Sequence, residues 1–196
     1  MNVLVGVTGG IACYKACELV RFFRREGHAV RVAMTANATR FVTALTFEAL
    51  SNNPAADDLW TRGHQYNVEH IELAKWADIA VIAPATANVI GKVANGIADD
   101  LLTTVVMALP EETHVVIAPA MNTRMWQNPI VQRNVETLRA LGKYHFVLPR
   151  VAELACGDVG TGALAEPEEI FHRVLQIAAG DAGQASESVP PESPSS

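Results

Sequence analysis

Cysteine is scarce in this sequence: Cys13, Cys17 and Cys156 are three thiols among 196 residues. That is too few for a disulfide framework and excludes the small stapled secreted folds. Cys13 and Cys17 stand four apart on one face of a predicted helix. Two ligands do not make a zinc site, so they read as core packing, and no metal is expected. Excess positive charge is lacking too, with 15 Lys and Arg against 21 Asp and Glu and a net charge of -6. A nucleic-acid footprint needs a basic stripe, which this composition does not offer. Three of the acids, Asp181, Glu187 and Glu192, fall in the last 17 residues, which carry no Lys or Arg; the body is therefore only mildly acidic. No apolar run reaches membrane-spanning length, and the opening Met1-Asn2-Val3-Leu4-Val5 lacks the basic head of a signal peptide. The expectation is a cytoplasmic protein with no membrane and no nucleic-acid partner.

What the chain has is apolar residues, 49% of the total against 18% charged, on a length that favours one domain with a real core. Short Val-rich runs alternate with helical patterns. Val3–Val7, Ala29–Met34, Asp78–Ala83, residues 114–118 and Tyr144–Leu148 read as strands. Helices are expected from Ile11 to about Arg25, over Thr46–Leu50 and Ile71–Trp76, over residues 86–94 and 99–108, from Pro129 to Leu141 and from Glu168 to Ala178, with a short one ending at Phe41. Residues 55–69 and 151–166 read as loops. Alternation of this kind predicts an α/β fold, a single-domain doubly wound parallel sheet of the flavodoxin-like (Rossmann-like) type, covered on both faces. Its expected extent is residues 1–179. Residues 180–196, rich in Ser, Pro, Gly, Ala and Glu, read as a disordered polar tail.

Two apolar strands end alike. Val81-Ile82-Ala83-Pro84 runs into Ala85-Thr86-Ala87-Asn88, and Val115-Val116-Ile117-Ala118 runs into Pro119-Ala120-Met121-Asn122-Thr123-Arg124-Met125-Trp126. Open α/β sheets bind ligands at the carboxyl ends of their strands, so both Asn-bearing loops point to one polar pocket. The first strand ends in Thr8-Gly9-Gly10-Ile11-Ala12, a turn that either serves tight packing alone or lets a ligand approach the backbone and places an anion at a helix N-terminus. The spacing is not Gly-x-Gly-x-x-Gly, and the second strand ends in Met34-Thr35 where a dinucleotide site wants an acid for a ribose hydroxyl. A mononucleotide such as FMN fits this turn better than NAD. His70 opens a helix, and a histidine there can take a proton from a substrate group; it also reads as a surface or capping histidine. Asn122 can bind a carboxylate or cap a helix. Cys156, in a Gly-rich stretch, can donate a proton or act as a nucleophile, or simply fill space.

In this order and spacing, the Thr8–Ala12 turn, His70-Ile71-Glu72-Leu73, Pro84–Asn88 with Ala94-Asn95-Gly96-Ile97-Ala98-Asp99-Asp100-Leu101-Leu102-Thr103-Thr104, and Pro119–Trp126 resemble the flavin-containing cysteine decarboxylases. That family includes phosphopantothenoylcysteine decarboxylases and peptidyl-cysteine decarboxylases, and the likeness covers roughly residues 2–178. It implies a trimeric assembly, either a homotrimer or a dodecamer, with FMN held between subunits. Carried over by motif, Gly9, Gly10, Ile11, Thr35, Phe41, Thr86 and Asn88 would hold the flavin. His70, Asn122 and Cys156 would be catalytic, with Asn122 and Met125 on the substrate. The loop departs from the bacterial Gly-x-Gly-Arg-Met pattern at Gly160-Thr161-Gly162-Ala163-Leu164, where the arginine is missing.

The implied chemistry is oxidative decarboxylation of a terminal cysteine to an enethiol. Two substrates are open. The sequence favours, slightly, the C-terminal cysteine of a ribosomally made peptide, because no synthetase segment accompanies the domain. The alternative is phosphopantothenoylcysteine in coenzyme A biosynthesis, supported by Cys156 in Leu-Ala-Cys-Gly.

Overall fold

The computed structural model describes residues 1–59, 69–153, 157 and 159–180. Cys156 and the tail from residue 181 onward lie outside the described residues, as do residues 60–68. Five strands carry the molecule: β1 (Asn2–Val7), β2 (Ala29–Met34), β4 (Ile79–Ala85), β5 (Val115–Pro119) and β6 (Tyr144–Phe146), with β3 (Ala55–Ala56) as a two-residue stub beside β2. All pair in parallel in the order β3-β2-β1-β4-β5-β6. Leaving out the stub, the sheet has the flavodoxin order, whose switch point lies between β1 and β4.

The strands alternate cleanly between two cores. On β1, Val3, Val5 and Val7 face one side, where α1 (Cys13–Arg25), α2 (Ala44–Ser51) and α8 (Pro167–Ala178) supply Phe23, Phe47 and Ile170. Leu4 faces the other, where α3 (Glu69–Trp76), α4 (Ala87–Ala94), α5 (Leu101–Ala108) and α7 (Pro129–Ala140) supply Leu73, Ile90, Leu102 and Leu138. Side chains that point alternately to two buried faces explain why β1, β4 and β5 read as unbroken apolar runs. Cys13 is buried in the first of these cores, its thiol donating to the Thr8 carbonyl at 2.9 Å. No helix among the described residues is long and apolar enough to cross a membrane.

Three local expectations are corrected. The stretch 151–166 is not one loop: β7 (Arg150–Glu153) and β8 (Val159–Ala163) form an antiparallel hairpin outside the main sheet. Its second strand is Val-Gly-Thr-Gly-Ala, a composition poor in strand formers, and the glycines are there for close packing (below). Residues 55–56 pair as a strand where an irregular loop was expected. A short helix, α6 (Thr123–Trp126), follows Asn122, in keeping with its capping reading, though the expected helices did not include it.

Near the start of β5, His114 Nδ1 and His145 Nε2 on β6 lie 3.0 Å apart. One shared proton satisfies that contact; a second would set two donors against each other. His145 is pushed below the ordinary histidine value, by burial first and then by His114 and Arg173. The sign follows from proton counting: below the unfolded histidine value the unfolded chain holds the extra proton. This contribution is therefore complete above that value and is lost as pH falls through it. Urea midpoints should rise from pH 5 to pH 7.5, and His114→Gln combined with His145→Gln should flatten that rise; an unaltered slope would remove the pair from the acid sensitivity.

Candidate active site

The carboxyl ends of β1 and β4 diverge at the switch point, and Thr8 fastens them together. Its buried hydroxyl donates to the Pro84 carbonyl at 2.7 Å and accepts the Thr86 N–H at 3.0 Å. The turn after β1 and the loop after β4 are thereby held as one wall. Gly9 is required by its neighbour: a Cβ there would collide with the Asn37 side chain and backbone. Gly10 instead borders open space, with only Thr86 Cγ2 near, at 3.9 Å. Thr86 caps α4 by accepting the Val89 N–H, whereas α1 has no side-chain cap; its Cys13 and Lys15 N–H groups donate to the Gly10 and Ala12 carbonyls, each at 3.0 Å.

Between these walls opens a cavity of about 1000 Å³. It is bordered by Gly9, Gly10, Ile11, Thr35, Thr86 and Asn88, and on the far side by Asn122 and Met125. Eight of the sequence-predicted residues thus converge on one cavity. Thr35 contributes a hydroxyl that is buried without a hydrogen-bond partner, which marks a place for a polar ligand group.

Asn122 is the N-cap of α6, its Oδ1 accepting the Arg124 N–H at 2.9 Å. The two readings of this residue are therefore compatible: capping fixes the amide plane, and the residue still borders the cavity. The β7–β8 hairpin packs on the same segment. The Met121 N–H donates to the Gly162 carbonyl at 2.9 Å, and a Cβ on Gly162 would strike the Met121 carbonyl. The missed strand β8 is thus the backing of the Asn122 loop.

His70 and Phe41 stand outside the cavity of their own chain. Phe41 is 51% exposed at the end of a 3₁₀ turn, Ala38–Arg40. His70 lies in the first turn of α3, partly exposed. Because α3 leads into β4, its N-terminus is at the same carboxyl edge of the sheet as the cavity.

Sequence reading missed the cavity's charged residues, Lys15, Lys92, Asp100 and Arg150. Lys92 is held by Asp99 at 2.6 Å and Asp100 at 2.8 Å. Burial alone would lower the Lys92 amine, but the hydrogen bonds to Asp100 and Asp99 outweigh it and raise it. Burial would likewise raise Asp100, and the bonds from Lys92 and Thr103 bring it below the usual carboxylate range. Asp100 also forms a capping box with Thr103 at the start of α5, so this triad fixes two helix ends at the cavity wall.

The family model described as Flavoprotein matches residues 1–179. The coenzyme A biosynthesis bifunctional protein CoaBC of Bacillus subtilis (strain 168) is 50% identical over 169 residues, 86% of this chain and 41% of that protein. The chain thus spans well under half the length of such fused relatives. A probable phosphopantothenoylcysteine decarboxylase of Streptococcus mutans is 43% identical over 86% of this chain and 94% of its own length. Among solved structures, a PPC decarboxylase mutant complexed with pantothenoylaminoethenethiol superposes with a TM-score of 0.80 at 35% identity, covering 90% of this chain and 97% of that one. The FMN-dependent cysteine decarboxylase SpaF gives 0.78 at 33% identity, over 91% and 97%.

Proposed function

This chain belongs to the flavoprotein family, among the flavin-containing cysteine decarboxylases, and on that premise we propose that it is an FMN-dependent phosphopantothenoylcysteine decarboxylase. The observation that carries the substrate is the relative of that name matched over 94% of its own length. It reverses the slight tilt toward a peptide substrate that the sequence alone suggested.

FMN suits the residues present. The cavity sits at the switch point, the glycine turn ahead of α1 offers its backbone to a phosphate, and the orphaned Thr35 hydroxyl offers a polar contact. No acid stands at the end of β2, where a dinucleotide's ribose would need one. Gly9, Gly10, Ile11, Thr35, Thr86 and Asn88 would hold the flavin, whose contribution when bound is to accept a hydride from the carbon bearing the thiol.

The chain's own residues do the rest. Asn122, fixed by its cap, donates its amide to the substrate carboxylate and holds it until CO2 leaves. Met125 packs beside it. His70 takes the thiol proton, reaching the cavity of a neighbouring subunit in a closed assembly, a trimer or a multiple of it; Phe41 covers the flavin from the same direction. Cys156 returns a proton when the enethiol is reduced.

The second reading, a peptide ending in cysteine, draws on the likeness to SpaF. The test is CO2 release by the FMN-loaded protein from phosphopantothenoylcysteine and from peptides ending in cysteine. Turnover of the former is expected; turnover of peptides alone would overturn the proposal.

A further inference from the structure

We propose that Lys15 and Arg150 form the seat for the substrate's phosphate and so select a phosphorylated arm over a peptide. This deepens the phosphopantothenoylcysteine reading and rests on it. Charge arithmetic singles out the pair. Among the described residues, three cations border the cavity: Lys15, Lys92 and Arg150. Lys92 shares its single charge with two carboxylates, Asp99 and Asp100, so that group carries a net negative charge. Lys15 and Arg150 share one carboxylate: Lys15 Nζ lies 3.0 Å from Glu166 Oε2, and Arg150 reaches Glu166 Oε1 at 2.6 Å. That group carries a net positive charge. The two groups stand on opposite faces of the sheet, with α1 and with α4. A phosphate dianion entering the cavity is drawn to the first and repelled by the second.

Lys15 belongs to the first turn of α1, next to the turn proposed for the flavin's own phosphate, and Arg150 is what distinguishes this seat. The flavin has the N–H groups of the Gly9–Ala12 turn, which no side chain caps. Arg150 comes instead from β7, in the hairpin that packs on the Asn122 loop. Its Nε donates to the Leu164 carbonyl at 3.0 Å, which holds the guanidinium in place. Arg150 is also the register partner of Ala163, the position at which the loop lacks an arginine. Directly opposed residues of an antiparallel pair share a face, so the guanidinium enters the same end of the hairpin from the facing strand. Lys15 is well shielded, its side chain 16% exposed, whereas the Glu166 carboxylate is 52% exposed. The exposed carboxylate is the partner a phosphate can displace at little cost, because surface ion pairs contribute little. A peptide arm brings no dianion and leaves the cations on Glu166.

The test uses the FMN-loaded protein and two ligand pairs, one for binding (phosphopantothenate and pantothenate) and one for turnover (phosphopantothenoylcysteine and pantothenoylcysteine). Wild type should prefer the phosphorylated member by about 10- to 100-fold, the range of charge-assisted hydrogen bonds. Lys15→Gln and Arg150→Gln should each shrink that preference while FMN stays bound. Glu166→Gln removes the competing carboxylate and should enlarge it, an opposite sign that loss of folding cannot imitate. A wild type without preference, or variants that keep it, would overturn the proposal. So would variants that shed FMN with the preference intact, since the cations would then hold the flavin. Cation-dependent phosphopantothenate binding without decarboxylation would keep the seat and remove the enzyme reading.

Discussion

His70→Asn is expected to leave the protein yellow and to cut decarboxylation by about 10²- to 10⁴-fold, the usual worth of a positioned base. The separation follows from place. Gly9, Gly10, Ile11, Thr35, Thr86 and Asn88, proposed for the flavin, border the cavity of their own chain, whereas His70 stands outside it on the first turn of α3. Losing the imidazole therefore removes a proton acceptor without touching a flavin contact. Place also suggests a sharper experiment. If His70 serves a neighbour's cavity, His70→Asn and Asn122→Asp are defects of different subunits. Co-expressing the two variants should then recover roughly a quarter of wild-type turnover, because one in four interfaces pairs an intact histidine with an intact asparagine. Absorbance near the flavin bands and CO2 release, measured on each variant and on the mixture, check it. Near-normal turnover in the yellow single variant would take His70 out of the reaction. A mixture no more active than its components would place both residues in one subunit.

The strands were legible because their residues obey one rule. A strand buried on both faces must be apolar throughout, and Val3–Val7, Val81–Ala83 and Val115–Ala118 are. The ends of β1, β4 and β5 were legible too: a glycine turn and two loops running from a proline to an asparagine all lie at the carboxyl edge where open α/β sheets bind ligands. What stayed hidden depends on neighbours distant in sequence. Gly160 and Gly162 read as loop residues, yet they lie in a strand, and they are glycines because a Cβ would strike the Thr123 side chain at Gly160 and the Met121 carbonyl at Gly162. Lys15 and Arg150 are 135 positions apart, and both pair with Glu166 at the head of α8. No local pattern could mark them. Thr8 was visible as part of a turn, but its role as the link between β1 and the loop after β4 is a matter of topology. His70 shows the same division: its helix was legible, and its distance from the cavity was not.

Cys156→Ser is expected to change the product rather than abolish the reaction. With phosphopantothenoylcysteine, the wild type should release a product lighter by about 44 mass units, CO2 alone, because the two hydrogens removed with the flavin's help are returned. Their return requires a proton delivered to carbon. A thiol of ordinary acidity, with a pKa of about 8.5, can supply it; a serine hydroxyl cannot near neutral pH. The variant should therefore stop at the enethiol, lighter by about 46 mass units, CO2 plus two hydrogens. Since nothing then takes the two hydrogens back from the flavin, the anaerobic variant should halt after about one turnover per site. Oxygen should restart it without restoring the lighter loss. Cys156 falls between β7 and β8, in the segment that joins the strand carrying Arg150 to the strand backing the Asn122 loop. Mass spectrometry of both products, with and without oxygen, decides the matter. A Cys156→Ser protein that still loses CO2 alone at the wild-type rate would assign the proton to another group. A wild type that converts only cysteine-ended peptides, with the loss of two extra hydrogens, would return the enzyme to the peptide-acting branch.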